Sequence, residues 1–448
     1  MFLSMVRKEL LDNVLRLRFA VACALCLVLV IASVPTMLRG YGGDLRTYSA
    51  NLTVHRGELE DLRSPEWVRH QAVDRPPTPT SVLFVGLERY MPRSLRVSRW
   101  GEPATVSGLE ASPTGSLFPV VDLGFVVGIV MSLVAVVFAY DAVSGERESG
   151  TLKLVMSFPV SRASVLAAKW VGGCAGVVLP LLLCWVLICI MLLVYPALSI
   201  TGLEWAVVGL LFVGSVLYLS SMYTLGLFVS AASRRSATSV ITMLLLWAGL
   251  SLAIPNLAPY VASALRPVPG AAEIGAQKRK VFREEIAAAE ASVAGRLTGV
   301  TDRRERWRLQ RGVMEAAMAE IGRQRGRIDE SFDNSMNSQV AVGRAISRLS
   351  PFACYLHAGT ALCATGTDAS ARLSDQMSGY HATLDQWIAV TEDDPDNEWR
   401  REVPEFTYRP PSLGERLSAS VVDLGLLVGY NAIFLLGAGV VFLRTELT

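Results

Sequence analysis

Six stretches of this 448-residue chain are each apolar over about the 20 residues that a helix needs to cross a bilayer. They run 19–38, 118–140, 171–195, 203–231, 237–256 and 418–443. None carries an ionisable residue near its centre; Asp122, Glu204 and Asp423 sit at the ends. Charge at mid-bilayer is expensive and rare, so the pattern reads as six transmembrane helices. Composition agrees: 52% of residues are hydrophobic and 18% charged, against about 25% charged in a soluble domain. A disordered chain is excluded, and a purely soluble enzyme is disfavoured. The expected fold is an all-α membrane protein.

Orientation follows from the basic residues of the short loops. With both termini inside, the cytosolic pieces are 1–18, 141–169, 232–236 and 444–448. They hold Arg7, Lys8, Arg16, Arg18, Arg147, Lys153, Arg162, Lys169, Arg234, Arg235 and Arg444. The short outside loop near 196–202 has no basic residue. Two long connections, 39–117 and 257–417, then face outward. The first apolar run is read as a retained span, because the region before it is long and no small-x-small cleavage site stands out. Leu3, Val6, Leu10, Val14 and Leu17 share one face of residues 2–18, which fits a helix lying flat at the inner leaflet.

The segment 273–295 reads as a helix, and Gly295 and Gly299 mark a turn. A second helix is expected from Thr301. It repeats Trp307, Met314, Ile321 and Ile328 at intervals of seven, then Phe332, among charged positions. That is the pattern of a narrow coiled-coil seam. The expected hairpin packs within the chain or against a partner. The other long connection is Pro-rich at Arg75-Pro76-Pro77-Thr78-Pro79, and is expected to form a small irregular cap with a helix near 44–70.

One internal similarity stands out. Val120-Val121-Asp122-Leu123-Gly124 recurs as Val421-Val422-Asp423-Leu424-Gly425, and both continue to a second glycine, Gly128 and Gly429. An Asp suits a helix N-terminus, and Gly-x-x-x-Gly permits close helix packing. These six residues are candidates for packing in a dimer seam or along a path; helix capping and ordinary small-residue packing explain them as well.

Catalytic signatures are missing. None of the five lysines is followed by Ser or Thr, so no P-loop exists. The four histidines, His55, His70, His357 and His381, show no metal-ligand spacing. A net charge of +2 gives no sign of nucleic-acid binding. Five of the seven cysteines lie in apolar runs. Cys354 and Cys363 lie elsewhere, and on one continuous helix they would stand about 13 Å apart, too far to pair. With no ionisable group at mid-membrane to couple to an ion gradient, energy for any transport is expected from another polypeptide.

One cytosolic segment decides the reading. Ser144-Gly145-Glu146-Arg147-Glu148-Ser149-Gly150-Thr151-Leu152-Lys153 is followed by Pro159-Val160-Ser161-Arg162 and Lys169. It is a charged turn, a short amphipathic helix stopped by Pro159, and Ser161 as an N-cap. This run resembles the signature of type 2 ABC transporter permeases, the six-span membrane subunits of ABC exporters. Arg7-Lys8-Glu9-Leu10 resembles the family's interfacial elbow helix. The hairpin, Ser350-Pro351 and Pro404-x-Phe406-x-Tyr408 resemble a branch that includes permeases of nitrous-oxide-reductase maturation and gliding-motility systems.

The resemblance implies a bacterial inner-membrane subunit that is not itself an enzyme. It implies two partner ABC ATPases, which would bind ATP and magnesium, and a second permease, identical or related. This chain would hold no cofactor. Residues 141–162 would form a coupling segment, with Glu146, Arg147, Glu148, Thr151, Lys153, Pro159 and Arg162 meeting the ATPase. Arg234 and Arg235 would form a second contact. The hairpin residues Trp307, Met314, Ile321, Ile328 and Phe332 would meet a periplasmic partner.

Overall fold

The computed structural model describes residues 2–60, 72–98, 101–105, 120–298, 302–391 and 403–444. Six of its helices are long and apolar enough to cross a membrane. The chain is an integral membrane protein built mainly of helices, and it divides into two units, 1–253 with 350–448, and 254–349.

The larger unit starts with α1 (Phe2–Val14) and α2 (Leu17–Glu60). The α2 helix runs well beyond the apolar stretch that ends near residue 38. The second span is α3 (Leu123–Phe125), a π-helical turn Val126–Met131 and α4 (Ser132–Ala139). A π turn disturbs the regular ladder of backbone hydrogen bonds. Here the Gly128 carbonyl accepts from both Ser132 Oγ and Tyr218 Oη, each at 2.7 Å. Two short helices follow, α5 (Ser144–Glu148) and α6 (Thr151–Met156), then the spans α7 (Arg162–Val194) and α8 (Gly202–Ala232). The α9 helix (Ser236–Ala248) opens the fifth candidate span, Ser236–Leu265.

The smaller unit contains α10 (Ile254–Leu265), α11 (Ala271–Leu297) and α12 (Arg303–Ser347). The last two form the hairpin. Asp302 caps α12 by accepting from the Arg304 N–H at 3.2 Å; Thr301, the expected cap, lies outside the described residues. Ile321 is 2% exposed, and Met314, Ile328 and Phe332 are half-buried. Lys278 pairs with Asp329 at 2.5 Å, and Gln324 donates to Glu285 at 2.8 Å. The seam therefore packs inside the chain. Trp307 does not join it: it is 59% exposed, with the Arg311 guanidinium 5.4 Å above its ring.

The larger unit resumes with α13 (Pro351–Leu362), α14 (Thr367–Thr391) and α15 (Leu413–Arg444). The α13 helix packs among the spans, between α8 and α15. Tyr355 stacks on Tyr218 with ring centroids 4.9 Å apart, and its hydroxyl meets Ser215 at 2.9 Å. Cys354 lies inside α13 and Cys363 caps it; both are buried and neither forms a disulfide. Burial pushes the Cys363 thiol up to about 12, so it stays protonated and unreactive.

The connection after α2 is not irregular throughout. It forms a three-stranded antiparallel sheet, β1 (Ala72–Asp74), β2 (Ser94–Ser98) and β3 (Gly101–Thr105). It also carries a buried Arg75–Glu88 ion pair at 2.9 Å. Its loop is tied to the end of α13: Thr80 donates to the Cys363 carbonyl, and Thr365 to the Phe84 carbonyl. Leu83, Phe84 and α13 thus plug one end of the bundle, and α5 and α6 occupy the other.

Candidate functional site at the charged turn

The turn after α4 is fixed by backbone groups. Val143 and Ser144 both donate their N–H to Ser230 Oγ on α8, at 3.0 Å each. Gly150 adopts φ +75°, a left-handed conformation that glycine takes without a steric penalty. It separates α5 from α6 and lets the chain reverse. Leu152 then anchors α6 at 1% exposure beside Val143 and Val165. Ser161 caps α7 by accepting from the Ser164 N–H at 3.1 Å.

The charged side chains of α5 have partners within the chain. Arg147 forks over the C-terminus of α8, donating to the Ser233 carbonyl at 2.9 Å and the Ala231 carbonyl at 3.2 Å. Glu148 accepts from the Ser236 N–H at 3.1 Å, at the start of α9. A cation thus meets a helix C-terminus and an anion meets a helix N-terminus, the favourable sense at both ends. Together they bridge the break between α8 and α9.

Glu146 turns toward α1. Its Oε1 lies 2.7 Å from Lys169 Nζ and 3.7 Å from Lys8 Nζ, while Lys169 also holds Glu9 at 3.1 Å. Lys169 is 3% exposed and the two carboxylates about one-fifth. Glycine makes this approach possible. A Cβ on Gly172 would stand 2.7 Å from the Glu9 Cβ, so any side chain there would push α1 off α7. Arg16 and Arg18, at the α1–α2 junction, both reach Asp141, at 3.4 and 3.0 Å.

What remains free is a different set. Lys153, Leu154, Ser157, Phe158 and Pro159 are exposed, with Leu154 at 65% and Phe158 at 56%. Arg234 and Arg235 are exposed in the α8–α9 turn. Thr151 is exposed, with its hydroxyl 2.9 Å from that of Ser149. Arg162 donates to the Leu443 carbonyl at 3.0 Å, near the end of α15. The exposed surface is thus an apolar knob with basic neighbours and Glu148 beside it, while Glu146 and Arg147 are half-buried. Sequence reasoning missed Ser230, Glu9, Asp141 and the pairing role of Lys169. A lysine at the foot of an apolar span, one turn before Gly172 and two before Gly176, was the signal available.

The two Val-Val-Asp-Leu-Gly copies are used differently. Asp122 caps α3, accepting from the Phe125 N–H at 2.9 Å and the Val85 N–H at 3.0 Å. A Cβ on Gly128 would lie 2.3 Å from the Phe352 ring, and one on Gly124 3.0 Å from Phe84. Asp423 does not open its helix. That start is made by Ser412 and Glu415, whose carboxylate accepts from the Ser412 N–H at 2.7 Å, and Asp423 is fully buried further along α15. Gly425 and Gly429 face open space, with nothing among the described residues within 4 Å of an added Cβ. The shared sequence is therefore not a shared capping device.

Among the described residues no group of three or more His, Cys, Asp or Glu could hold a metal ion.

Known proteins resemble this chain in part and over its length. A probable ABC transporter permease protein NosY of Stutzerimonas stutzeri is 38% identical over 65 residues, 12% of this chain and 24% of that protein. The protein of the same name from Pseudomonas aeruginosa is 36% identical over 70 residues, covering 16% and 20%. The chain thus aligns with about a quarter or less of the length of these curated relatives. The match that spans the whole architecture is to the family described as ABC-2 family transporter protein, over residues 3–447. This chain belongs to that family, and is the membrane subunit of an ABC transporter.

Proposed function

We propose that the chain is the permease of an ATP-driven exporter in the bacterial inner membrane. In this reading both termini are cytosolic, and α1 lies at the inner leaflet as an elbow. Two partner ATPases bind ATP and magnesium, and a second permease, identical or related, completes the path. The observation that carries the reading is the clamped turn. Because α5 is fixed at once to α1, α7, α8 and the start of α9, a push on α6 cannot be absorbed locally. It moves several spans together, which is what coupling requires. Leu154, Phe158 and Pro159, with Lys153, Arg234 and Arg235 beside them, form the docking surface. Interfaces gain most from a few well-buried aromatic and arginine anchors.

Replacing Leu154 and Phe158 by Asp tests this. Both are exposed, so the subunit should fold and insert normally. Co-purification of the ATPase should fall by at least tenfold, and coupled ATP hydrolysis with it. Undiminished co-purification would overturn the assignment.

A second reading is favoured by the hairpin. In it the complex delivers force or a signal to an extracytoplasmic partner and no substrate crosses. An extrusion assay in sealed vesicles separates the two, because only the exporter moves solute.

A further inference from the structure

We propose that a cleft between the end of α10 and the middle of α12 holds the headgroup of a zwitterionic aminophospholipid, phosphatidylethanolamine. The inference goes beyond the exporter reading and needs only that Ser236–Leu265 crosses the membrane. The cleft has a volume of about 590 Å³, within the range of about 300–1,000 Å³ that small-molecule sites occupy. Arg266, just past α10, lies on one side. The other side is one face of α12, where Arg327, Glu330, Ser331, Asn334 and Ser335 follow the three- and four-residue spacing of neighbours on a helix. Gln339 ties the two sides together by donating to the Arg266 carbonyl at 2.7 Å. Further along α12 a Cβ on Gly343 would lie 3.4 Å from that of Ala262, so the two helices run in close contact.

The span sets the depth of the cleft. Ser236–Leu265 has 30 residues and rises about 45 Å, which matches a bilayer of about 40–45 Å with its headgroup regions included. The helix opens just after Arg234 and Arg235 at one surface, so its last residue, Leu265, reaches the headgroups at the other. Leu265 also lines the cleft. Tyr260 is 74% exposed nearby, and tyrosine is enriched at that level of a membrane. Leu257, Val261 and Leu265 are exposed on the same helix and offer apolar surface to acyl chains.

The polar groups suit one headgroup. Among the described residues the Arg266, Glu330 and Asn334 side chains make no hydrogen bond or ion pair, and Arg327 acts electrostatically on Glu320 along its own helix. Guanidinium groups bind phosphate through paired N–H donors, and the Glu330 carboxylate complements an ammonium. The Ser331 and Ser335 hydroxyls and the Asn334 amide add donors for phosphate and glycerol oxygens. Phosphatidylcholine has no N–H to give Glu330, and phosphatidylglycerol has no cation to set against it.

The test is native mass spectrometry of the full chain in detergent with equal amounts of phosphatidylethanolamine, phosphatidylcholine and phosphatidylglycerol of identical acyl chains. The parent should retain one more phosphatidylethanolamine per chain than R266A/R327A, with the other two lipids bound equally by both. R266K/R327K should keep that lipid. E330Q should lower the preference for phosphatidylethanolamine over phosphatidylcholine at least fivefold. A hundredfold excess of glycerophosphoethanolamine, the soluble headgroup, should not displace the lipid. Arg266, Arg327 and Glu330 are exposed, so all three variants should melt as the parent does. Equal phosphatidylethanolamine counts in the parent and R266A/R327A, an unchanged preference in E330Q, or displacement by the soluble headgroup would each overturn the proposal.

Discussion

Replacing Lys169 by Met should destabilise the folded subunit by about 3–5 kcal/mol, the range seen when one partner of a buried ion pair is removed. The Lys169 ammonium lies between Glu9 at 3.1 Å and Glu146 at 2.7 Å, and is almost wholly buried. Without it two carboxylates are left together with only Lys8, 3.7 Å from Glu146 and more than half exposed. Lys8 places the loss near the lower end of the range. The structural consequence is specific: α1 should separate from α7, and α5 should lose its link to α1. Thermal unfolding of the purified subunit measures the first effect, and protease sensitivity within α1 the second. Changing Glu9 and Glu146 to Gln in the same chain should recover most of the loss, since neutral amides need no counter-charge. A single variant that melts like the parent, or a triple variant no better than the single, would sink the ionic account.

The second large effect separates the two copies of the repeated motif. Gly128→Ala should destabilise the subunit by about 1–3 kcal/mol through overpacking, because the new methyl would sit 2.3 Å from the Phe352 ring. That ring is held within α13, so it cannot swing aside freely. Phe352→Leu in the same chain should restore part of the loss. Gly429→Ala should be neutral or stabilise the isolated subunit by up to about 1 kcal/mol, the helix preference of alanine over glycine, because nothing among the described residues lies in the way. Thermal unfolding in detergent decides both. Equal effects from the two substitutions would show that the copies are packed alike after all.

These two cases show where the sequence was legible. The spans were, since a run of apolar residues of bilayer length leaves few alternatives. The hairpin was also, because the spacing of Met314, Ile321 and Ile328 fixes a helical face. The end of that pattern was not. Trp307 continues the interval of seven, yet it stands exposed, with only the Arg311 guanidinium over its ring among the described residues. In the repeated motif, identical letters met different neighbours: Phe84 and Phe352 beside the first copy, open space beside the second. The α13 helix was hidden for a related reason. Its 12 residues are too few to span a bilayer, so nothing local announced that it would pack among the spans.

By itself the sequence determined the membrane class and the six helices long and apolar enough to cross a bilayer. Lipid offers no hydrogen bonds to the backbone, so apolar runs of that length must be helices, and the Ser144–Lys153 run is distinctive as a string of residues. Only the tertiary structure decided which members of that run are bound to other parts of the chain. Glu146, Arg147 and Glu148 are alike on paper in polarity and position. Each nevertheless finds a partner from a distant part of the chain. Lys169, which holds Glu146, also holds Glu9, 160 residues away, and Arg147 holds the Ser233 carbonyl 86 residues away. No local period encodes contacts of that separation. They arise when the spans pack, and they turn a row of charges that reads as a docking edge into a clamp, leaving Leu154 and Phe158 as the exposed knob.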